Sequence, residues 1–359
     1  METVKLGLLI KKTKVARCGN FSYPVLSITK QDGIIMQSEK FKKRIASADT
    51  SDYKIIPRGK LVQGIHIDEG NFGIQDIVDN GIVSPAYGVW DVNDELVVPK
   101  YLEMVLRSPK SIEFYRSKLT GTVSRRGHMS DTDFLSMDVP FPDKDTQSKI
   151  LETMKQTTSV LCSRQQQLAK LDELVKARFV EMFGTYPDNP FGWNTGKIQD
   201  VVSDVRYGSS RPAVEGGKYP YLRMNNITYA GELDLTDTKR IDVPDNELDK
   251  CTVRRGDVLF NRTNSKELVG KTCVYNRDDM MVLAGFVIRV RVNERILPEF
   301  LVAFLNTDFS KQMLLGMCKT AIGQANINAK EMQNIGLYIP PIALQEQFVD
   351  LKNQIDKSK

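Results

Sequence analysis

Residues 143–184 read DKDTQSKILETMKQTTSVLCSRQQQLAKLDELVKARFVEMFG, about forty residues with no proline after Pro142 and no glycine before Gly184. Met154, Leu161, Leu168 and Val175 recur every seven residues, and Leu151, Leu171, Leu174 and Phe179 widen the apolar stripe. That spacing predicts one long amphipathic helix with a helical partner. At 1.5 Å per residue it would extend roughly 60 Å, which suits a spacer between two bodies better than a core helix.

The segments on either side of this helix match one another at an offset of 196 to 199 residues. Tyr23-Pro24-Val25-Leu26 matches Tyr219-Pro220-Tyr221-Leu222, and Ile56-Pro57-Arg58-Gly59 matches Val253-Arg254-Arg255-Gly256. Val98-Pro99-Lys100-Tyr101-Leu102 matches Leu297-Pro298-Glu299-Phe300-Leu301, with proline in the first turn of an amphipathic helix. Met137 to Pro142 matches Ile335 to Pro340, and Gln147 and Gln345 follow at equal distances. Landmarks in one order on both sides indicate a tandem duplication.

The expected fold is therefore α+β: two repeated mixed β/α domains, residues 1–142 and 185–341, separated by a long coiled-coil helix, 143–184. A second, shorter C-terminal helix, 342–359, is expected to be its partner. In the second copy, strands are predicted near 219–224, 257–261, 272–275 and 282–292, and helices over Pro298–Leu305 and Asp308–Met317. Phe348, Leu351 and Ile355 continue the apolar register, but Lys359 matches Leu161, so the second helix is expected to be cut short. It should pair with the N-terminal half of the long helix, leaving part of the stripe for self-association or another subunit.

A chain of 359 residues can bury two cores. No apolar run reaches the length of a membrane span and the start has no signal-peptide core, so a cytoplasmic location is expected. Five cysteines without a CxxC pair point to reduced thiols rather than a metal site. The net charge is only +5, but residues 1–60 hold thirteen Lys or Arg against five acids, while residues 61–99 hold seven acids and no Lys or Arg. Arg254, Arg255, Arg262, Lys266, Lys271 and Arg277 form a second basic run that could face phosphates or simply be solvated.

Little in the chain suggests catalysis. His66 and His128 are the only histidines, and no phosphate-binding GxxxxGK[ST] loop occurs. Asp188-Asn189-Pro190-Phe191 has a faint likeness to a base-holding methyltransferase motif, but lacks its second proline and any upstream glycine-rich turn for a methyl donor. What remains is a set of loops rich in groups that contact phosphates and base edges. In the second domain these offer Arg206, Tyr207, Ser209, Ser210 and Arg211, then Arg223, Asn225 and Asn226, then Arg262, Asn264, Ser265 and Lys266, and finally Gln324 and Asn326. The first domain offers Lys11, Lys12, Lys14, Arg17, Lys30, Gln63, His66, Arg125 and Arg126. Matching scaffolds with diverging loops suit one fold used twice to read two targets.

Several of these segments together resemble the specificity subunit of a type I restriction-modification enzyme. They are Asp257-Val258-Leu259-Phe260-Asn261-Arg262-Thr263-Asn264-Ser265, Leu268-Val269-Gly270-Lys271, Gly323-Gln324-Ala325-Asn326-Ile327-Asn328, and Ile339-Pro340-Pro341 with Gln345-Glu346-Gln347. The first domain departs from the pattern, with Gly121-Thr122 and Arg125-Arg126-Gly127 in place of Gly323-Gln324-Ala325-Asn326. The resemblance implies a chain with no catalysis of its own, whose two target-recognition domains read a bipartite site in double-stranded DNA. It also implies partner methyltransferase subunits that use S-adenosylmethionine to methylate adenine at N6, and a restriction and motor subunit that uses ATP and Mg, with no cofactor in this chain. The rival readings are a methyltransferase or nuclease acting alone and a coiled-coil scaffold that binds only proteins.

Overall fold

The computed structural model describes residues 2–40, 49–119, 129–321 and 324–359. It divides into two compact units, Met1–Cys162 and Ser163–Lys359, and a 40-residue helix, Lys144–Phe183, begins in one and ends in the other. The fold is two mixed helix-and-strand domains separated by this long helix. No helix of the described residues is long and apolar enough to cross a membrane.

The duplication is visible in the strand pairing. In the first unit an antiparallel sheet runs Ile10–Lys12, Gly88–Val92, Leu61–Gln63, Phe72–Ile74. In the second, Val202–Tyr207, Val287–Val292, Val258–Asn261 and Thr272–Val274 pair in the same order and sense. Each unit also joins an early strand to its Pro-ended closing strand, Thr3–Lys5 to Asp138–Pro140 and Asn194–Lys197 to Gly336–Ile339. Even the parallel contact recurs, as Val25 with Ile82 and Tyr221 with Val282.

Gln147 and Gln345 explain why the two copies share a glutamine after the closing strand. Both are fully buried. Gln147 accepts a hydrogen bond from the Val98 amide and donates to the Pro142 carbonyl, each at 2.8 Å. Gln345 accepts from the Leu297 amide and donates to the Pro340 carbonyl, again at 2.8 Å. The residue before each helix proline has no intrahelical partner for its N–H, and the glutamine supplies one while tying the closing strand to the next helix.

Two expectations need correction. The stretch 282–292 is not one strand: Met281–Leu283 belongs to one sheet and Val287–Val292 to another, with Gly285 and exposed Phe286 at the crossing. The terminal helix Ile342–Ser358 lies against the C-terminal end of the long helix rather than its N-terminal half. Phe348 packs against Phe179 and Phe183 with ring centroids 5.2 and 5.8 Å apart, and Lys359 meets Asp172 at 2.6 Å. The reason is the core: Phe179 and Phe183 are fully buried against Phe300, so the long helix enters the same cluster from which the terminal helix departs. Of the predicted pairing positions, Phe348 is buried, Val175, Leu351 and Ile355 are half-buried, and Met154, Leu161 and Leu168 are exposed.

Candidate nucleic-acid interface

The second unit gathers its best candidates where the strand Val258–Asn261 runs on into Thr263–Asn264. That short strand pairs with Gln324–Asn326, joining Thr263 to Asn326 and Asn264 to Ala325. Between the two strands the backbone of Arg262 is fixed on both sides. Its amide donates to the Phe286 carbonyl at 3.0 Å, and its carbonyl accepts from the Ile327 amide at 2.9 Å. The guanidinium lies 4.9 Å from the ring of Tyr207, whose hydroxyl accepts from the Ala329 amide at 2.9 Å. Stacking on an aromatic face suits a delocalised, weakly hydrated cation and leaves its outer N–H groups free. Arg262 is in no ion pair among the described residues, and its buried Nε has no hydrogen-bond acceptor.

Tyr207 reaches this place because of Gly208. A Cβ there would sit 2.2 Å from the Leu283 carbonyl oxygen and 2.4 Å from that of Ala284, so only glycine lets the segment pass so close to the strand crossing. Phe286, exposed at that crossing, was missed by sequence reasoning, since its neighbours read as one continuous strand. Asn264 and Ser265 are half-exposed and Lys266 is exposed beside them, with the Asn264 side chain accepting from the Ser265 amide at 2.9 Å. Asn326 is half-buried on the paired strand. The side chain of Gln324 lies outside the described residues, as do Arg125, Arg126 and His128.

Other predicted residues of this unit are occupied. Arg206 pairs with Asp204 at 2.9 Å. Arg211 grips Glu247 with two nitrogens at 2.7 and 3.1 Å, which raises the Arg211 pKa and lowers that of Glu247. Arg223 binds both the carboxylate and the carbonyl of Asp237 at 2.9 Å. Asn226 is buried, accepting from the Arg223 amide and donating to the carbonyls of Asp234 and Asp237. Ser209 is buried, while Ser210 and Asn225 are exposed. The Arg206 and Arg211 pairs are exposed and weak in water, so these two arginines can exchange a carboxylate for a phosphate at little cost.

The basic run from 254 to 277 does not act as one patch. Lys271 is buried with its amine on the carbonyls of Met224 and Ile227, and burial pulls its pKa down. Arg255 holds Asp278 at 2.7 and 2.9 Å, and Arg277 holds Asp279 at 2.6 Å. Arg254, Arg262 and Lys266 are left without an ion pair among the described residues. Asp188-Asn189-Pro190-Phe191 is a turn: Asn189 has φ +44°, accepts from the Trp193 amide at 2.9 Å and donates to the Trp193 carbonyl at 2.8 Å.

In the first unit, Lys11, Lys14, Lys30 and His66 are exposed. Lys12 pairs with Asp131 and lies 5.6 Å from the ring of Trp90, and Arg17 pairs with Asp52. Gln63 accepts from the Trp90 indole N–H at 2.9 Å, so its carbonyl oxygen serves the fold. Lys54, not foreseen from sequence, joins this group: Arg17 and Lys54 form a backbone bridge. Burial lowers the Lys54 pKa, with Lys12 and Arg17 adding repulsion. A basic surface that repels its own members is suited to an anionic partner.

Two copies of one scaffold, each carrying a differently furnished polar loop region, define a tandem two-domain recognition protein. Comparison with known proteins places it further. Residues 190–359 match the family described as type I restriction modification DNA specificity domain. The EcoKI specificity subunit of Escherichia coli K12 is 25% identical over 191 residues, 52% of this chain and 41% of that protein. The putative MjaX specificity subunit of Methanocaldococcus jannaschii is 25% identical over 171 residues, 46% of this chain and 40% of its own length. The match thus spans about two-fifths of these curated relatives. A solved structure concerned with complex assembly and conformational transition of the type I R-M system shares the fold over 99% of this chain and 90% of its own, with a TM-score of 0.61 and 19% identity. Residues 190–359, a little under half of the chain, are thus similar to the DNA specificity domain of type I restriction-modification systems.

Proposed function

We propose that this chain is the DNA-sequence specificity subunit of a type I restriction-modification system, in which each unit reads one half of a bipartite duplex site. The observation that carries this reading is the Arg262–Tyr207 stack, a donor fork locked at the backbone, propped on a ring and without a carboxylate partner among the described residues. Arginine so presented can address O6 and N7 of guanine in the major groove or grip a phosphate. The match of residues 190–359 to the specificity family supports the same assignment. The first unit supplies the basic group around Lys12, Arg17 and Lys54 for the other half-site, with the long helix setting the gap. Half-sites one duplex turn apart would lie about 34 Å from each other.

On this reading the chain positions chemistry done by others. Methyltransferase subunits bring S-adenosylmethionine and take up the flipped adenine, and a motor and nuclease subunit brings ATP and Mg. The complex would act in the cytoplasm, with the exposed Met154, Leu161 and Leu168 stripe available for assembly. The test is to purify the chain with its methyltransferase partner and map methylated adenines in treated DNA. A split motif with a constant gap is expected. A continuous motif, or methylation indifferent to sequence, would overturn the assignment.

A further inference from the structure

Arg262 is not the only side chain held out where the two sheets of the second unit cross. The antiparallel register of the central strands pairs Val258 with Val290, Leu259 with Arg289, Phe260 with Ile288 and Asn261 with Val287. The hydrogen bond from the Arg262 amide to the Phe286 carbonyl at 3.0 Å carries that register one pair further, so Arg262 and Phe286 stand opposite each other. Opposed residues of an antiparallel pair share a face, with Cα atoms about 5.5 Å apart where they are hydrogen-bonded. Tyr207, paired with Ile288 on the other neighbouring strand, belongs to the same face, which is how its ring comes to support Arg262. One pleat further in, Phe260 and Ile288 are fully buried in the core. The face therefore passes from core to surface within two residues, and beyond the core it presents a guanidinium beside a phenyl ring.

Phe286 is 53% exposed on a backbone that is pinned from both sides. The Val287 amide donates to the Ala284 carbonyl at 2.9 Å, closing the turn, and the Gly285 amide donates to the Ser209 carbonyl at 2.7 Å. The Ser209 amide in turn donates to the Leu283 carbonyl at 2.7 Å. A Cβ on Gly285 would lie 3.2 Å from the Ser209 carbonyl oxygen, so the turn is packed closely against that segment. A ring carried on a backbone so fixed gives up little freedom when it meets a partner surface. Its neighbour Arg262, with no carboxylate partner among the described residues, makes that surface suited to a polyanion. Successive bases of a duplex strand are about 3.4 Å apart, so two side chains rooted about 5.5 Å apart can address adjacent base pairs. In the major groove, where arginine meets O6 and N7 of guanine, the apolar group on offer is the C5 methyl of thymine. Wedging between base pairs, the other use of an exposed ring, belongs to minor-groove binders, where O6 and N7 are out of reach.

We propose that Phe286 is a second base-reading residue of this unit, packing against the C5 methyl of a thymine in the base pair next to the one that Arg262 addresses. The assignment rests on the reading of Arg262 as a group that meets a guanine edge. Arginine and phenylalanine together then read a two-pair step, one by hydrogen bonds and the other by apolar contact.

The test uses the full chain assembled with its methyltransferase partner and synthetic duplexes that carry the mapped motif. Each thymine of the half-site read by the second unit is replaced in turn by deoxyuridine, which removes the methyl group and nothing else. One position, adjacent to the pair whose discrimination Arg262→Ala relaxes, should lose affinity by roughly fourfold, the loss expected for one buried methyl. Phe286→Ala should bind the thymine and deoxyuridine duplexes equally, and Phe286→Leu, which keeps an apolar side chain, should retain part of the difference. A half-site without thymine beside that pair, indifference to every deoxyuridine substitution, or a methyl effect undiminished in Phe286→Ala would overturn the proposal and leave the bipartite reading standing. So would 2-aminopurine fluorescence that rises on binding only when Phe286 is present, since the ring would then be wedged between base pairs. Binding indifferent to sequence would bring down the bipartite reading first, and this assignment with it.

Discussion

Arg262 combines three features seldom found together on an accessible arginine: a backbone hydrogen-bonded on both sides, an aromatic support, and no carboxylate among the described residues. Conformational entropy that a free arginine would lose on binding is already lost in folding. Arg262→Ala should therefore relax discrimination at a single base position by about 1–3 kcal/mol, measured by competition between duplexes that differ at one pair. If every duplex weakened equally, with a shallower salt dependence, Arg262 would be gripping a phosphate instead.

Lys311 is a second residue whose chemistry follows from its setting. Its amine donates to the Gly270 carbonyl at 3.1 Å and lies 5.3 Å from the Tyr229 ring. Burial, with repulsion from Lys176 and Lys271, pulls its pKa from 10.5 down to about 8. Below about pH 8 the folded and unfolded chains both carry the charge and folding bears the whole penalty. Between that value and 10.5 only the unfolded chain keeps the proton, so stability rises with pH. Lys311→Met should stabilise the second unit at pH 7 by on the order of 2 kcal/mol, and by clearly less at pH 10, in urea unfolding followed at both values. An equal effect at both would mean that the amine is not held against its charge.

At the scale of elements, the buried glutamines carry the repeat. Gln345→Ala leaves the Leu297 amide and the Pro340 carbonyl unpaired in the core and should cost the second unit about 2–3 kcal/mol. Gln147→Ala should cost the first unit a similar amount through Val98 and Pro142. Denaturant unfolding monitored in each unit separately, through Trp90 for the first and Trp193 for the second, should assign each loss to its own unit. The duplication itself was legible because proline, glycine and buried glutamine impose backbone requirements that survive while surfaces diverge. Three things were not legible. The crossing at Gly285-Phe286 hid inside a run of strand-forming residues. The partner of the long helix depended on which core Phe179 and Phe183 enter. The pairing of Arg211 with Glu247 and of Arg223 with Asp237 depended on folds of the chain that local spacing does not encode. Arg262 stood out in sequence only as one of several basic residues, and its privilege comes from Tyr207, 55 positions earlier.

For the whole molecule, the two units have separate cores and their loops share no residues, so under the proposed function their readings should be separable. Arg262→Ala with Asn264→Ala should alter the methylated motif in one half only. Lys14→Glu with Lys54→Glu should weaken reading of the other half, because added carboxylates repel phosphates where Lys12 and Arg17 already crowd Lys54. Both sets of changes leave the helix Lys144–Phe183 untouched, so the gap between the halves should stay constant. Motif maps from the two variants, each assembled with the methyltransferase partner, decide the matter. Changes spread over both halves would mean that the units read one continuous surface, and a duplication that looks like two readers would instead be two supports for one.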